Sequence, residues 1–351
     1  MTRTVTINGR KIGPGHPPYV ICEISGNHNG ELARALRLLD AAAATGADAI
    51  KMQSYTPDTI TIDHDGPDFM IEGGLWDGRR LYDLYGEAQT PFEWHKPLFD
   101  RAQELGVTLF STPFDDTAVD LLESVGAPAY KIASFEIVDL PLIANVAARG
   151  KPMIISTGMG NLAEIQAAVD TARAHGCEEL ILLHCISSYP APIEQANVRT
   201  VPHLGEAFGC VSGLSDHTMG SAAAVASVVL GGSVIEKHFT LARADGGPDA
   251  AFSMEPDEFK ALVADCRNAH AALGHVTYER AEAEKGSLRF RRSLYAVADI
   301  AAGEALTKEN TRSIRPGFGL PPAALPDVLG KTARTAIARG TPLSWKLIAE
   351  A

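Results

Sequence analysis

Between Pro18 and His238 the chain repeats one alternation eight times: a short β-rich run, followed in most cases by a longer segment with helical periodicity. The runs are "YVICEI", "DAIKMQ", "VTLFST", "AYKIAS", "PMIIST", "ELILLHC", "CVSGLS" and "SVIEKH". Segments such as "ELARALRLLDAAAATG", "PFEWHKPLFDRAQELG" and "LAEIQAAVDTARAHG" space their apolar residues as a helix does, and they stop at Gly, as a C-terminal cap with positive φ requires. Eight such units predict an α/β fold, a parallel (β/α)8 TIM barrel. An open dinucleotide-binding sheet would usually carry GxGxxG after its first strand, and none is present.

The flanking segments have other patterns. "MTRTVTINGRKIGPGHPPY" predicts a hairpin turning at Asn8-Gly9 that covers the bottom of the barrel. After about Gly274 comes the charged "TYERAEAEKGSLRFRR", and from Ser293 short strands with turns, each too short to be another barrel unit. The expected organisation is a barrel domain with its hairpin over 1–275, a linker over 276–292 and a small β-rich domain over 293–351.

Composition narrows the class. The chain is 46% hydrophobic and 21% charged, with no charge block, no membrane-length apolar run and no apolar signal core at its start. A soluble, cytoplasmic protein is expected. The net charge of −12 argues against a nucleic-acid partner, although a few lysines in a closed cleft still set a local field for small anions. Cys22, Cys177, Cys185, Cys210 and Cys266 show no paired spacing, which predicts reduced, mostly buried thiols.

In such a barrel the chemistry lies where the strands end at the C-terminal mouth. There the runs carry Glu23, Lys51 and Gln53, "STPFD" with Thr112, Lys131 with Ser134 and Glu136, Ser156, "HCISSYP", Ser215 and His217 in "SDHT", and His238 in "EKHFT". Loop polarity accounts for serines but not for lysines and glutamates inside otherwise apolar runs. His217 and His238 are one helix–strand return apart, so both reach the same mouth on neighbouring strands. Either alone would be explained by a hydrogen bond to a loop carbonyl. As a matched pair beside Asp216 and Glu236 they suggest a divalent-metal site with open positions, and without thiolates Mn²⁺ or Mg²⁺ suits it better than structural zinc. Lys51, Lys131, Ser134, Ser156 and Ser215 suggest a cradle for phosphate or carboxylate. Glu23 and Glu136 could handle protons or position water. The competing readings are a Schiff-base aldolase using Lys131 or Lys237, and a glycan-binding protein without catalysis.

The motifs "ICEISGNHNG", "IKMQSY", "STPFD", "YKIASFE", "STGMGNL", "LLHCISSYPAP", "GLSDHTMG", "EKHFT" and "GGPD" together resemble the sialic acid synthase family, and "SIRPGFGLPP" resembles its C-terminal antifreeze-protein-like (SAF, β-clip) domain. Within that family "GGLWDGRRLYDLYGEAQTP", "KIASFEIVDLPLI" and "RADGGPDAAFSMEP" look most like the pseudaminic acid synthase branch. The resemblance implies a transferase that condenses phosphoenolpyruvate with an N-acetylated amino sugar, 2,4-diacetamido-2,4,6-trideoxy-L-altrose in that branch, and releases phosphate. N-acetylneuraminate and legionaminate synthases are the alternatives. It implies metal ligands at His217 and His238, and phosphoenolpyruvate contacts at Lys51, Thr112, Lys131, Ser134, Ser156 and Ser215. It implies sugar contacts at Gln53, Tyr189, Asp249 and Arg315, and functional carboxylates at Glu23 and Glu136. Ser187 departs from the asparagine usual in neuraminate synthases at a phosphate-side position. The family further implies a domain-swapped homodimer, with the small domain of one subunit closing the barrel of the other. The aromatics Trp76, Tyr82 and Tyr85 either supply apolar surface for a 6-deoxy sugar or simply cover the barrel rim.

Overall fold

The computed structural model describes residues 4–349. It divides into two compact units, Met1–Gly274 and His275–Ala351.

The first unit opens with the expected hairpin, β1 (Val5–Ile7) paired antiparallel with β2 (Arg10–Ile12). Asn8 and Gly9 take φ of 46° and 78°, the two positive values that a tight two-residue hairpin turn demands. The eight runs then form β3 (Tyr19–Glu23), β4 (Ala49–Ser54), β5 (Thr108–Pro113), β6 (Tyr130–Ile132), β7 (Met153–Ser156), β8 (Leu180–Cys185), β9 (Val211–Asp216) and β10 (Val234–His238). They are parallel and close into a barrel, β10 pairing with β3. Return helices shield the outside. Leu32–Ala44, His95–Leu105 and Pro256–Leu273 contribute Leu38, Leu39, Leu98, Phe259 and Leu262 to a core against the outward-facing Val20, Cys22, Ile50, Met52 and Ile235. Helix His95–Leu105 ends at Gly106, φ 67°, where a side chain would be strained. It starts later than its apolar spacing suggests, because Pro91 and a 3-10 turn over Phe92–Trp94 precede it.

Inside the barrel, residues two apart along a strand face the same way, so the lumen fills in layers. The lower layer is apolar: Ile21, Ala49, Phe110, Ala129, Ile154, Leu183 and Val234 pack together, and Val5, Ile7 and Ile12 of the hairpin join the same cluster. The hairpin therefore closes the N-terminal end as expected. Four cysteines are buried thiols and Cys210 is half-buried; none forms a disulfide.

The second unit has its own core of Leu294, Ile300, Leu306, Val328, Ile337, Leu343 and Ile348. A two-stranded sheet pairs β11 (Ser293–Ala296) with β12 (Thr311–Ile314), and isolated bridges such as Ile300↔Ile337 and Ala333↔Ile348 tie other turns. Among the described residues no helix is long and apolar enough to cross a membrane.

Candidate active site

Adding two to six of these seven apolar lumen positions yields a polar next layer. Ile21 leads to Glu23, Ala49 to Lys51, Phe110 to Thr112, Ala129 to Lys131, Ile154 to Ser156 and Val234 to Glu236, all buried. The organising group is Glu236. Lys131 Nζ donates to both of its oxygens at 2.9 and 3.1 Å, Ser215 Oγ donates at 3.3 Å, and Lys51 Nζ lies 3.5 Å away. Lys51 also pairs with Glu23 and donates to Thr112 Oγ1 at 3.2 Å. Burial alone would raise the Glu236 carboxyl, but the Lys131 and Lys51 ammonium groups outweigh it and hold its pKa well below the carboxylate range. Glu23 is raised by burial, against the pull of Lys51. Lys51 and Lys131 thus face one central carboxylate, ready to exchange part of that pairing for a substrate anion.

One turn of the pleat higher are the histidines. His217 and His238 have ring centroids 5.3 Å apart. His217 Nδ1 lies 2.9 Å from the Ile186 carbonyl, which can only accept, so Nδ1 carries a proton and Nε2 keeps the lone pair. His238 Nδ1 lies 3.3 Å from Ser25 Oγ, and burial, reinforced by the nearby Lys51 and Lys237 ammonium groups, holds its pKa well below the ordinary imidazole value. Burial opposes charge on His217, but adjacent Cys185 outweighs it and raises its pKa overall. Two imidazoles with engaged Nδ1 atoms suit a divalent cation, and no cluster of three or more metal-binding side chains exists among the described residues. Most of the coordination sphere would then belong to water or substrate, the arrangement of a Lewis-acid site and not of a structural one.

A second group of donors lies at the ends of β6, β7 and β8. Gly158 N–H donates to Ser134 Oγ at 3.2 Å. A Cβ on Gly158 would lie 2.2 Å from Ser187 Oγ and 2.7 Å from Ser134 Oγ, so the glycine is what lets both hydroxyls approach the main chain. Ser156 Oγ is buried without a hydrogen-bond partner among the described residues. Hydroxyls, a main-chain amide and Lys131 nearby form a cradle that fits phosphate. Glu136, on the 3-10 turn Ser134–Val138, has a buried Oε2 with no hydrogen-bond partner among the described residues, and burial lifts its pKa to about 7.

The remaining expected residues are placed as follows. Gln53 is half-buried on the inward face of β4, paired in register with Thr112. Asp249 is raised by burial, and a hydrogen bond from Ser25 lowers it in part. Tyr189 packs on His217, centroids 4.4 Å apart, and on Trp76 at 5.6 Å and Phe252 at 5.0 Å. Trp76 Nε1 donates to the Pro248 carbonyl at 2.8 Å. Of Trp76, Tyr82 and Tyr85, Trp76 joins this group, Tyr85 packs on Tyr55, and Tyr82 donates to Asp58. Arg315 is exposed on the second unit. Lys237, considered for a Schiff base, sits on the opposite face of β10 from Glu236 and pairs with Asp216 at 2.8 Å. The hub role of Glu236 was not foreseen. Its signal was the alternation in "EKH", which puts Glu236 and His238 on one face.

Comparison with known proteins places this geometry. The NeuB family model matches residues 38–278, and the SAF domain model matches residues 291–349. The chain belongs to the NeuB family. It is 43% identical over 332 residues to the pseudaminic acid synthase of Helicobacter pylori, covering 93% of this chain and 97% of that one. It is 34% identical over 348 residues to the N,N'-diacetyllegionaminic acid synthase of Legionella pneumophila, covering 97% and 98%. Among solved structures, the N-acetylneuraminic acid synthetase from Leptospira borgpetersenii, in complex with citrate, is similar with a TM-score of 0.73 at 31% identity, covering 82% of this chain and 96% of that one. The sialic acid synthase resemblance of the strand-end motifs and the barrel-plus-SAF architecture are therefore both properties of this NeuB family member.

Proposed function

We propose that the chain condenses phosphoenolpyruvate with 2,4-diacetamido-2,4,6-trideoxy-L-altrose and water to give pseudaminate and phosphate. The observation that carries the reaction type is the meeting, in one barrel mouth, of the Lys51–Glu236–Lys131 cluster with the His217/His238 pair. The sugar rests on the similarity to pseudaminic acid synthases.

Lys51, Lys131, Ser134, Ser156, Ser187, Ser215, Thr112 and the Gly158 amide bind the phosphate and carboxylate of phosphoenolpyruvate. Mn²⁺ or Mg²⁺ held by His217 and His238 would supply Lewis-acid polarisation of the open-chain aldehyde. Gln53, Tyr189 and Asp249 orient the sugar so that its carbonyl carbon meets the methylene carbon of phosphoenolpyruvate. As the new C–C bond forms, C2 becomes electron-deficient and takes up water. Glu136, with its pKa near 7, accepts the proton from that water. Glu23 stays paired with Lys51 and holds it in place. The tetrahedral centre then expels inorganic phosphate by C–O cleavage. Arg315 reaches the sugar from the second subunit of a domain-swapped homodimer, with 276–292 as the connecting arm.

The test uses phosphoenolpyruvate labelled in its bridging oxygen. The label appears in the released phosphate, and label retained in the keto-acid product overturns the mechanism. Preference for N-acetylmannosamine or a legionaminate precursor over the diacetamido-trideoxy-altrose overturns the sugar assignment and leaves the chemistry standing.

A further inference from the structure

The inward faces of β9 and β10 carry the chemistry, but a second buried pair lies on their outward faces. Ser215 and His217 bracket Asp216, and Glu236 and His238 bracket Lys237, so the strand alternation turns Asp216 and Lys237 away from the lumen. They are register partners, their ion pair is 2.8 Å long, and each side chain is 1% exposed. The second oxygen of Asp216 accepts from Thr218 N–H at 2.9 Å and from Thr218 Oγ1 at 2.8 Å, while Lys237 Nζ also donates to the Thr218 carbonyl. This pair is the last rung of the β9–β10 ladder. His217 and His238 each lie one residue beyond it, so no further backbone ladder between these strands sets the distance between the two imidazoles. On its other side His217 is held by Ala191 N–H, which donates to the His217 carbonyl at 2.9 Å.

We propose that Asp216, Lys237 and Thr218 form a clamp on the outside of the barrel that sets the spacing of the two histidines for a divalent cation. The three are positioning residues and touch neither substrate nor metal. A buried ion pair contributes little net stability relative to a well-packed neutral replacement. Its four connections instead grip the residues before and after His217 and the residue before His238, the three main-chain positions that decide where the rings sit. Outer partners that orient metal ligands in this way commonly govern affinity without entering the coordination sphere.

The inference rests on His217 and His238 being the metal ligands, and the experiment separates the two. Mn²⁺ binding to the full-length protein is measured by electron paramagnetic resonance, and phosphoenolpyruvate binding by calorimetry without sugar. In Asp216→Asn/Lys237→Met both charges are removed together, so neither is stranded. This variant is expected to bind Mn²⁺ about 10–100-fold more weakly, with phosphoenolpyruvate affinity within about twofold of wild type. Thr218→Val removes one uncharged connection with little change in volume, and is expected to show a smaller loss of Mn²⁺ affinity in the same direction. Unchanged Mn²⁺ affinity in both variants overturns the clamp. So does a parallel loss of both ligands, which a general structural role predicts. If His217→Ala/His238→Ala binds Mn²⁺ as wild type does, the ligand assignment fails first and the clamp loses its premise.

Discussion

Burial acts on Glu136 and Glu236 in the same direction, and their neighbours send them apart. Glu236 faces two ammonium groups and stays ionised, whereas Glu136 keeps an oxygen with no hydrogen-bond partner among the described residues and titrates near neutrality. Its raised value carries a signed consequence. Between its ordinary pKa of 4.5 and about 7 the folded chain holds a proton that the unfolded chain has released. Its contribution to stability is therefore complete below that window and is lost as pH rises through it. The Tm of wild type relative to Glu136→Gln should accordingly fall between pH 5 and pH 8; a difference that rises contradicts the assignment. The same substitution should lower kcat by about 10²-fold or more if Glu136 takes the proton from water. At this scale the sequence was informative wherever a charge interrupted an apolar run, as at Lys51 and Lys131. It was silent on partners: that Lys131 grips Glu236 and that Lys237 grips Asp216 depends on which strands become neighbours.

Elements place these side chains through a few local rules that were legible in advance. Asn8-Gly9 specifies its turn, Gly106 ends a helix, and the period of two converts six apolar lumen positions into a map of the polar layer above them. The loop after β7 is less transparent. Its "STGMG" reads as a serine-bearing strand end, but its principal contribution is the space beside Gly158. The φ of Gly158 is not in the left-handed region, so Gly158→Ala introduces a steric change only. It should push Ser187 and Ser134 apart and weaken the phosphate cradle, raising KM for phosphoenolpyruvate about 10-fold or more, as loss of one or two hydrogen bonds to a charged group does. KM for the sugar should stay within about twofold, the spread expected for an uncoupled site. Steady-state kinetics with each substrate varied in turn checks both. Trp76, Tyr82 and Tyr85 are close along the chain, yet they take different partners: Trp76 joins the aromatic group around Tyr189, Tyr85 packs on Tyr55, and Tyr82 donates to Asp58.

For the molecule as a whole, the two-unit organisation makes the swapped dimer testable by complementation. On the proposed mechanism Lys131→Ala should disable a barrel and Arg315→Ala a tail, each leaving the other half intact. If tails act in the neighbouring subunit, mixed dimers rebuild one complete site from two inactive chains, and an equimolar exchanged mixture recovers about a quarter of wild-type activity. If each tail serves its own barrel, the mixture stays inactive.

The order of eight strand–helix units, the hairpin, the change of pattern after Gly274 and the identity of the strand-end residues follow from patterning along one dimension, because turn chemistry and hydrophobic period act between residues close in the chain. The central position of Glu236, the outward Asp216–Lys237 pair and the approach of Ser134 and Ser187 to Gly158 arise only on closure of the barrel. Closure brings residues about 20 to 105 positions apart, as in Lys237–Asp216 and Lys131–Glu236, within hydrogen-bonding distance. Once they are buried together, the energy of each charge depends on its neighbours more than on its own chemistry.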